Sequence, residues 1–265
     1  MFALDEQAPG CRFVVTDRLG GASREPYGTL NLGGGVGDDE EAVRTNRCRV
    51  ADSLGVAADH LLFMDQVHGD EVVQVDGPWR GPVPRCDAMV TTRPGLALAV
   101  LVADCVPVLL AAPREGVLGV AHAGRAGMAA GVVERLVEAM HDLGARTITA
   151  RVGPSVCPRC YPVGQQLADE VAARWPVTRS VSRHGEPSLD VAAGVLAQLA
   201  ASCRDLDQVP GCTVERPDLF SYRRDGRTGR FAGIGLLTEL TGAADPAVQY
   251  HHSSGTGPRA GEEAP

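Results

Sequence analysis

Residues 96–124, LALAVLVADCVPVLLAAPREGVLGVAHAG, decide the fold. They contain three apolar runs, 96–102, 106–112 and 117–121, separated by short polar breaks. The runs are too short for independent helices, are rich in Val and Leu, and carry almost no polar position. That is the pattern of strands buried on both faces. Polar residues appear only where the runs end: Asp104-Cys105 at the junction of the first two, His122 at the end of the third. The longest apolar stretch, 96–103, stops at Asp104 and is too short to span a bilayer.

Working outward, Val132, Val133, Leu136, Val137 and Met140 fall on one face of a helix expected over 128–143, with Gly144 as its stop. A strand is expected at 148–152, helices at 164–175 and 190–204, a polar arginine-rich turn at 217–230, and a last strand at 231–237. On the other side, 11–16 reads as a strand and 20–37 as a glycine-rich loop. A helix follows, capped by Asp38 or Asp39 and stopped by Gly55. Strands at 61–63 and 71–75 flank a loop over 65–70. Strands and helices alternate irregularly, which predicts a mixed α/β class and not a clean doubly wound sheet. Residues 1–240 read as one domain. Residues 241–265 are rich in Gly, Pro, Ser and Glu and are expected to be a disordered tail.

The chain has 265 residues, 33 acidic and 25 basic side chains and a net charge of −8. Every basic residue is arginine, so a Schiff base, a phosphate-loop lysine and a lysine general base are all excluded. A cationic role falls to arginine, whose planar fork suits oxyanions. The acidic balance argues against nucleic acid or an anionic membrane as partner. The start, MFALDEQAPG, has no signal-peptide pattern, so a cytoplasmic location is expected. In that compartment the eight cysteines read as thiols or ligands, not disulfides.

Three segments share one arrangement: Gln66-Val67-His68-Gly69, Ala103-Asp104-Cys105-Val106-Pro107 and Val120-Ala121-His122-Ala123-Gly124. Each sets a soft or borderline metal ligand at the end of an apolar strand, beside Gly or Pro. Two imidazoles and a thiolate suit zinc, and three protein ligands leave a fourth position for water or substrate. Zinc in such a place lowers the pKa of its water toward ~7. Asp104 or Asp65 is positioned in sequence to orient a ligand or accept a proton. The spacings from His68 to Cys105 and on to His122 match no local metal motif, and a strand-end cysteine is also ordinary core filler. Cys157-Pro158-Arg159-Cys160 is a lone CxxC without a second pair in the sequence; Cys11, Cys48, Cys86, Cys203 and Cys212 read as buried or incidental. His60, His141 and His184 read as surface residues, and His251-His252 as part of the tail.

These segments resemble the family long called multicopper polyphenol oxidases, or laccase-domain proteins. Members are described as purine nucleoside phosphorylases with adenosine deaminase activity, and one branch as peptidoglycan editing factors. The resemblance extends to about Leu240. It includes Gly20-Gly21-Ala22-Ser23, Leu30-Asn31-Leu32-Gly33, Asn46-Arg47, Gly153-Pro154, Cys160-Tyr161-Pro162-Val163-Gly164, Ser188-Leu189-Asp190 and Phe220-Ser221-Tyr222-Arg223-Arg224-Asp225-Gly226 with Thr228-Gly229-Arg230. It implies a compact α/β domain of β-sheet layers flanked by helices, of the laccase-domain, cytotoxic necrotizing factor-like type. It also implies one catalytic zinc on His68, Cys105 and His122, and purine nucleosides with phosphate as partners. One segment departs from the family, which has His-Ala-Gly-Trp-Arg-Gly where this chain has His122-Ala123-Gly124-Arg125-Ala126-Gly127.

Phosphorolysis needs a phosphate held beside ribose C1′. Arg125, Arg223, Arg224 and Arg230 are the candidates to hold it, with Asn31 a candidate to bond ribose or base. Deamination of adenine would need Asp104 or another carboxylate as proton shuttle. Three other readings compete. Copper-dependent phenol oxidation is disfavoured by seven histidines and no His-x-His pair. An amidase editing peptidoglycan precursors would use Cys105 as nucleophile with a histidine base. A non-catalytic protein with structural zinc would need a fourth ligand, which the CxxC could supply.

Overall fold

A computed structural model describes residues 1–239; the expected tail lies outside them. Strands β1 (Phe2–Ala8) and β2 (Cys11–Thr16) lead to helix α1 (Glu40–Leu54), then β3 (Leu61–Phe63), β4 (Val72–Gln74), β5 (Ala88–Thr91), β6 (Ala97–Val102), β7 (Val106–Ala112) and β8 (Val117–Ala123). Helices α2 (Arg125–Ala130) and α3 (Val132–Asp142) precede β9 (Ile148–Val152), α4 (Gln165–Arg174), β10 (Arg179–Val181) and β11 (Pro187–Leu189). The described chain closes with α5 (Val191–Leu199), β12 (Cys203–Gln208), α6 (Tyr222–Asp225) and β13 (Phe231–Leu237).

Two sheets form the body. One has the order β1-β2-β13-β6-β3, the other β12-β9-β7-β8-β5-β4. They pack face to face, and helices cover both outer faces. Strand periodicity shows why the middle of the sequence is so apolar. In β7, Val108 and Leu110 join the cluster that contains Met128, Val132, Leu136 and Met140, while Leu109 and Ala111 join the cluster between the sheets with Phe13, Val100, Leu118 and Phe231. In β13, Ala232, Ile234 and Leu236 face the layer of Val50, Ala51 and Leu54 of α1. Alternate residues therefore enter different cores, and neither set can be polar. A Cβ on Gly233 would lie 2.7 Å from Pro107 Cβ, so this glycine lets the two sheets approach.

The α1 signals read from sequence hold: Asp39 accepts from the N–H groups of Glu41 and Ala42, and Gly55 ends the helix at φ 73°. The helix expected over 128–143 is instead two. Gly131, at φ 101°, caps α2 with its N–H and starts α3. The helix expected over 190–204 stops at Leu199, and Cys203–Gln208 is an edge strand parallel to β9.

The chain changes sheet at two places that matter below. Residues 64–71 run from β3 in the five-stranded sheet to β4 in the six-stranded one, and 103–105 run from β6 to β7 in the same sense.

Candidate metal centre and its cavity

His68 lies on the first of these crossings, Cys105 on the second, and His122 near the end of β8. Their ligand atoms lie within 4.8 Å of one another. Cys105 Sγ is 3.9 Å from His68 Nε2, and the His68 and His122 rings meet edge to face at 4.7 Å. Local backbone is bent to achieve this. His68 has φ 61° and Asp104 φ 102°, conformations that a non-glycine residue adopts at a cost of order 1–3 kcal/mol. Gly124 is required by proximity: a Cβ there would sit 2.8 Å from His68 Cδ2 and 3.3 Å from Cys105 Sγ.

Asp87, fully buried just before β5, organises the cluster. One carboxylate oxygen lies 2.7 Å from His122 Nδ1 and accepts the His68 N–H at 2.9 Å. The other accepts the Val67 and Gly69 N–H groups at 3.1 and 2.7 Å. Burial opposes its charge, but His122 and the N–H groups of Gly69 and His68 outweigh burial and lower its pKa. Burial likewise raises the Cys105 thiol, yet the two imidazoles bring it down to about 6. The His122 imidazolium is disfavoured by burial but held up to about 9 by Cys105 and Asp87.

The residues fit a zinc ion on structural grounds. Asp87 engages His122 Nδ1, which leaves Nε2 as the ring's free nitrogen. A carboxylate–histidine pair of this kind is the usual support of a metal-bound imidazole. The donor set is borderline to soft, and the group is limited to three ligands among the described residues.

The cluster opens onto a cavity of about 930 Å³, lined by His68, Cys105 and His122 together with Arg47, Arg223 and Arg230. This is the size of a small-molecule site. Arg47 donates twice to the Leu32 carbonyl and stacks 4.1 Å from the Phe63 ring. Arg230 donates to the Thr228 and Gly229 carbonyls. Arg223 donates to Pro162 O and stacks 4.5 Å from Tyr161. The hydrogen bonds of these three guanidiniums go to carbonyls, not carboxylates. Burial lowers the pKa of Arg47 and Arg230, so an anion in the cavity would offset the cost of burying their charge.

The other expected site residues lie as follows. Asp104 lines the cavity, but one oxygen accepts from the Thr213 and Ser221 hydroxyls and the other from Arg223 N–H. It anchors the α6 turn, and the carboxylate that touches the His68 and His122 cluster is Asp87. Asp65 lines the cavity as an exposed residue 3.8 Å from Arg85. Asn31 is fully buried; it bonds Gly33, Asp38 and Arg230 N–H, and so shapes the loop. Arg224 is spent on Asp225 and the carbonyls of Thr213, Arg216 and Leu219. Arg125 opens α2, and the cavity lining does not include it. The CxxC belongs to a different cluster and adds no fourth ligand to this one.

Two residues of this site carry little signal in the sequence. Asp87 stands in Cys86-Asp87-Ala88-Met89-Val90, a polar residue at the head of an apolar run, which is the same signal that marked Asp104-Cys105. Arg47, in the Asn46-Arg47 segment of the resemblance, lies within α1, and nothing local in the sequence marks it as facing a cavity.

Fold and site together define a class: two stacked sheets with an outer layer of helices, and an open His₂Cys cluster where the chain crosses between the sheets. The chain belongs to the family described as multi-copper polyphenol oxidoreductase laccase, which matches residues 12–238. A purine nucleoside phosphorylase of Streptomyces griseus is 56% identical over 226 residues, covering 83% of this chain and 92% of that one. A purine nucleoside phosphorylase of Mycobacterium tuberculosis is 47% identical, covering 84% and 90%. Among solved structures, the hypothetical protein YfiH of Bacillus licheniformis superposes with a TM-score of 0.79 at 30% identity, covering 89% of this chain and 99% of that one. No helix among the described residues is long and apolar enough to cross a membrane.

Proposed function

We propose that this protein is a purine nucleoside phosphorylase with one zinc ion held by His68, Cys105 and His122. The observation that carries the reading is that one cavity contains both an open three-ligand cluster and three guanidiniums that, among the described residues, bond to carbonyls and to no carboxylate. The names of the relatives support it.

In phosphorolysis a phosphate oxygen bonds to ribose C1′ as the C1′–N9 bond breaks. The bonding pair leaves with the purine, which takes up a proton. Arg47, Arg223 and Arg230 bind and orient the phosphate dianion. The exposed Tyr222 ring and the Tyr161 ring, both in the cavity wall, offer faces for the base or the ribose. Asp87 holds His122 in one tautomer and keeps the His68 loop in its strained turn. Zinc, when bound, supplies a Lewis acid that stabilises developing negative charge. The test is incubation of the purified zinc protein with inosine, guanosine or adenosine and phosphate. Free base and ribose 1-phosphate are expected. No base release from protein with stoichiometric zinc overturns the reading. Inosine formed from adenosine in the same assay would add the deaminase activity, and phenol oxidation by copper-loaded protein alone would favour the older family name.

One observation favours a second reading. Cys105, His122 and Asp87 stand in series as nucleophile, base and orienting carboxylate would. An amidase acting through Cys105 would keep its activity under chelation and lose it in Cys105→Ala, whereas the zinc enzyme loses activity in both.

A further inference from the structure

A second group of ligand atoms lies apart from the cavity cluster: Cys157 Sγ, Cys160 Sγ, Cys212 Sγ and a Glu215 carboxylate oxygen, all within 4.8 Å of one another. It is built from two facing turns of the same kind. In Cys157-Pro158-Arg159-Cys160 the Cys160 N–H donates to the Cys157 carbonyl at 2.9 Å; in Cys212-Thr213-Val214-Glu215 the Glu215 N–H donates to the Cys212 carbonyl at 3.0 Å. Each turn presents two ligands three positions apart toward the other turn. The turns are joined by backbone, since Ser155 and Cys212 form a bridge and Thr213 N–H donates to Ser155 O at 3.1 Å. Cys157 N–H donates to Cys212 Sγ at 3.4 Å, the kind of support that a metal-bound thiolate receives from the backbone.

We propose that Cys157, Cys160, Cys212 and Glu215 form a closed, structural zinc site, independent of the cavity cluster. The donor set is four ligands, three of them sulfur, which is the count and softness of structural zinc sites. Tetrahedral zinc with Zn–S bonds of about 2.3 Å sets sulfur atoms about 3.8 Å apart, so no sulfur pair needs to close by more than about 1 Å. Three thiols release their protons to solvent as the ion enters. The Arg183 guanidinium contacts both Cys160 Sγ and Glu215 Oε1 and partly neutralises the anionic ligand set.

The position gives the site a task. Tyr161, which stacks under Arg223, follows Cys160 directly, and Thr213, which bonds Asp104, follows Cys212 directly. An ion joining the two turns therefore fixes one wall of the cavity from behind, through positions 55 residues apart in sequence.

The test is zinc content of the purified full-length chain, by elemental analysis, in wild type, Cys105→Ala, Cys212→Ser and the double variant. About two ions per chain are expected in wild type, about one in each single variant and none in the double variant. Cobalt(II) in Cys105→Ala is expected to show the strong sulfur-to-metal absorption of a multi-thiolate site. If Cys212→Ser fails to fold, Cys105→Ala decides alone: about one ion supports the site, and none overturns it. A disulfide between Cys157 and either Cys160 or Cys212 in protein purified without added oxidant also overturns it. Because the readout is zinc retained without Cys105, failure of this site is distinguishable from failure of the proposed catalytic zinc.

Discussion

The two sulfur-bearing clusters are made from different parts of the fold. The first takes single ligands from two sheet crossings and a strand end, and one side opens onto a cavity. The second takes paired ligands from two tight turns, with Cys160 and Cys212 both buried. The first has three ligands and strained backbone at His68 and Asp104; the second has four, on turns without left-handed residues. Ligand count and strain point the same way: open and strained at the proposed catalytic centre, closed and relaxed at the proposed structural one.

This contrast can be broken by substitution. Cys105→Ala should have the largest effect, a loss of about 1000-fold or more in phosphorolysis, because it removes a ligand and with it the charge stabilisation at the cavity floor. Base release under saturating inosine and phosphate measures it, and chelation of wild type should reach the same level. Asp87→Asn should cost about 10–100-fold in zinc affinity or in activity, the usual range for the partner of a metal-bound imidazole. Zinc competition with a chromophoric chelator reads the first, steady-state rates the second. Arg230→Met should raise the KM for phosphate by about 10–100-fold, the equivalent of one charge-assisted hydrogen bond, with a smaller change in the KM for the nucleoside. Arg125→Ala should change either constant by no more than about twofold, as expected of a substitution outside the site; a loss like that of Arg230→Met would place Arg125 in the phosphate site after all.

Sequence revealed the two halves of this contrast unequally. His68, Cys105 and His122 stand out because each is a candidate ligand close to the end of an apolar run and beside Gly or Pro, a signal carried by a few neighbouring positions. Asp87 acts on residues 19 and 35 positions away, through contacts that exist only when β5 lies beside β8. Half of the four-ligand group, Cys157 and Cys160, was visible as a CxxC. Its other half gives no such signal: Cys212 reads as an incidental cysteine, and a carboxylate in the fourth place, Glu215, does not repeat the motif. Arg224 and Asn31 matched the resemblance but are consumed by the frame, since hydrogen-bond commitment is a tertiary property. In the fold, the central strands were legible from continuous burial. Strand β12, CRDLDQ, was not, because an exposed edge strand has no apolar alternation to read. Gly131 broke an otherwise unbroken apolar stripe by adopting a left-handed conformation within it.

The two crossings have one more consequence. His68 and Cys105 ride on segments that step from one sheet to the other, while His122 belongs to a single sheet. The cluster thus acts as a gauge of sandwich thickness. Anything that wedges the sheets apart, such as a side chain at Gly233 against Pro107, should stretch the gauge and weaken metal binding without touching a ligand. Metal affinity at the proposed zinc site should, in that sense, measure how well the core is packed.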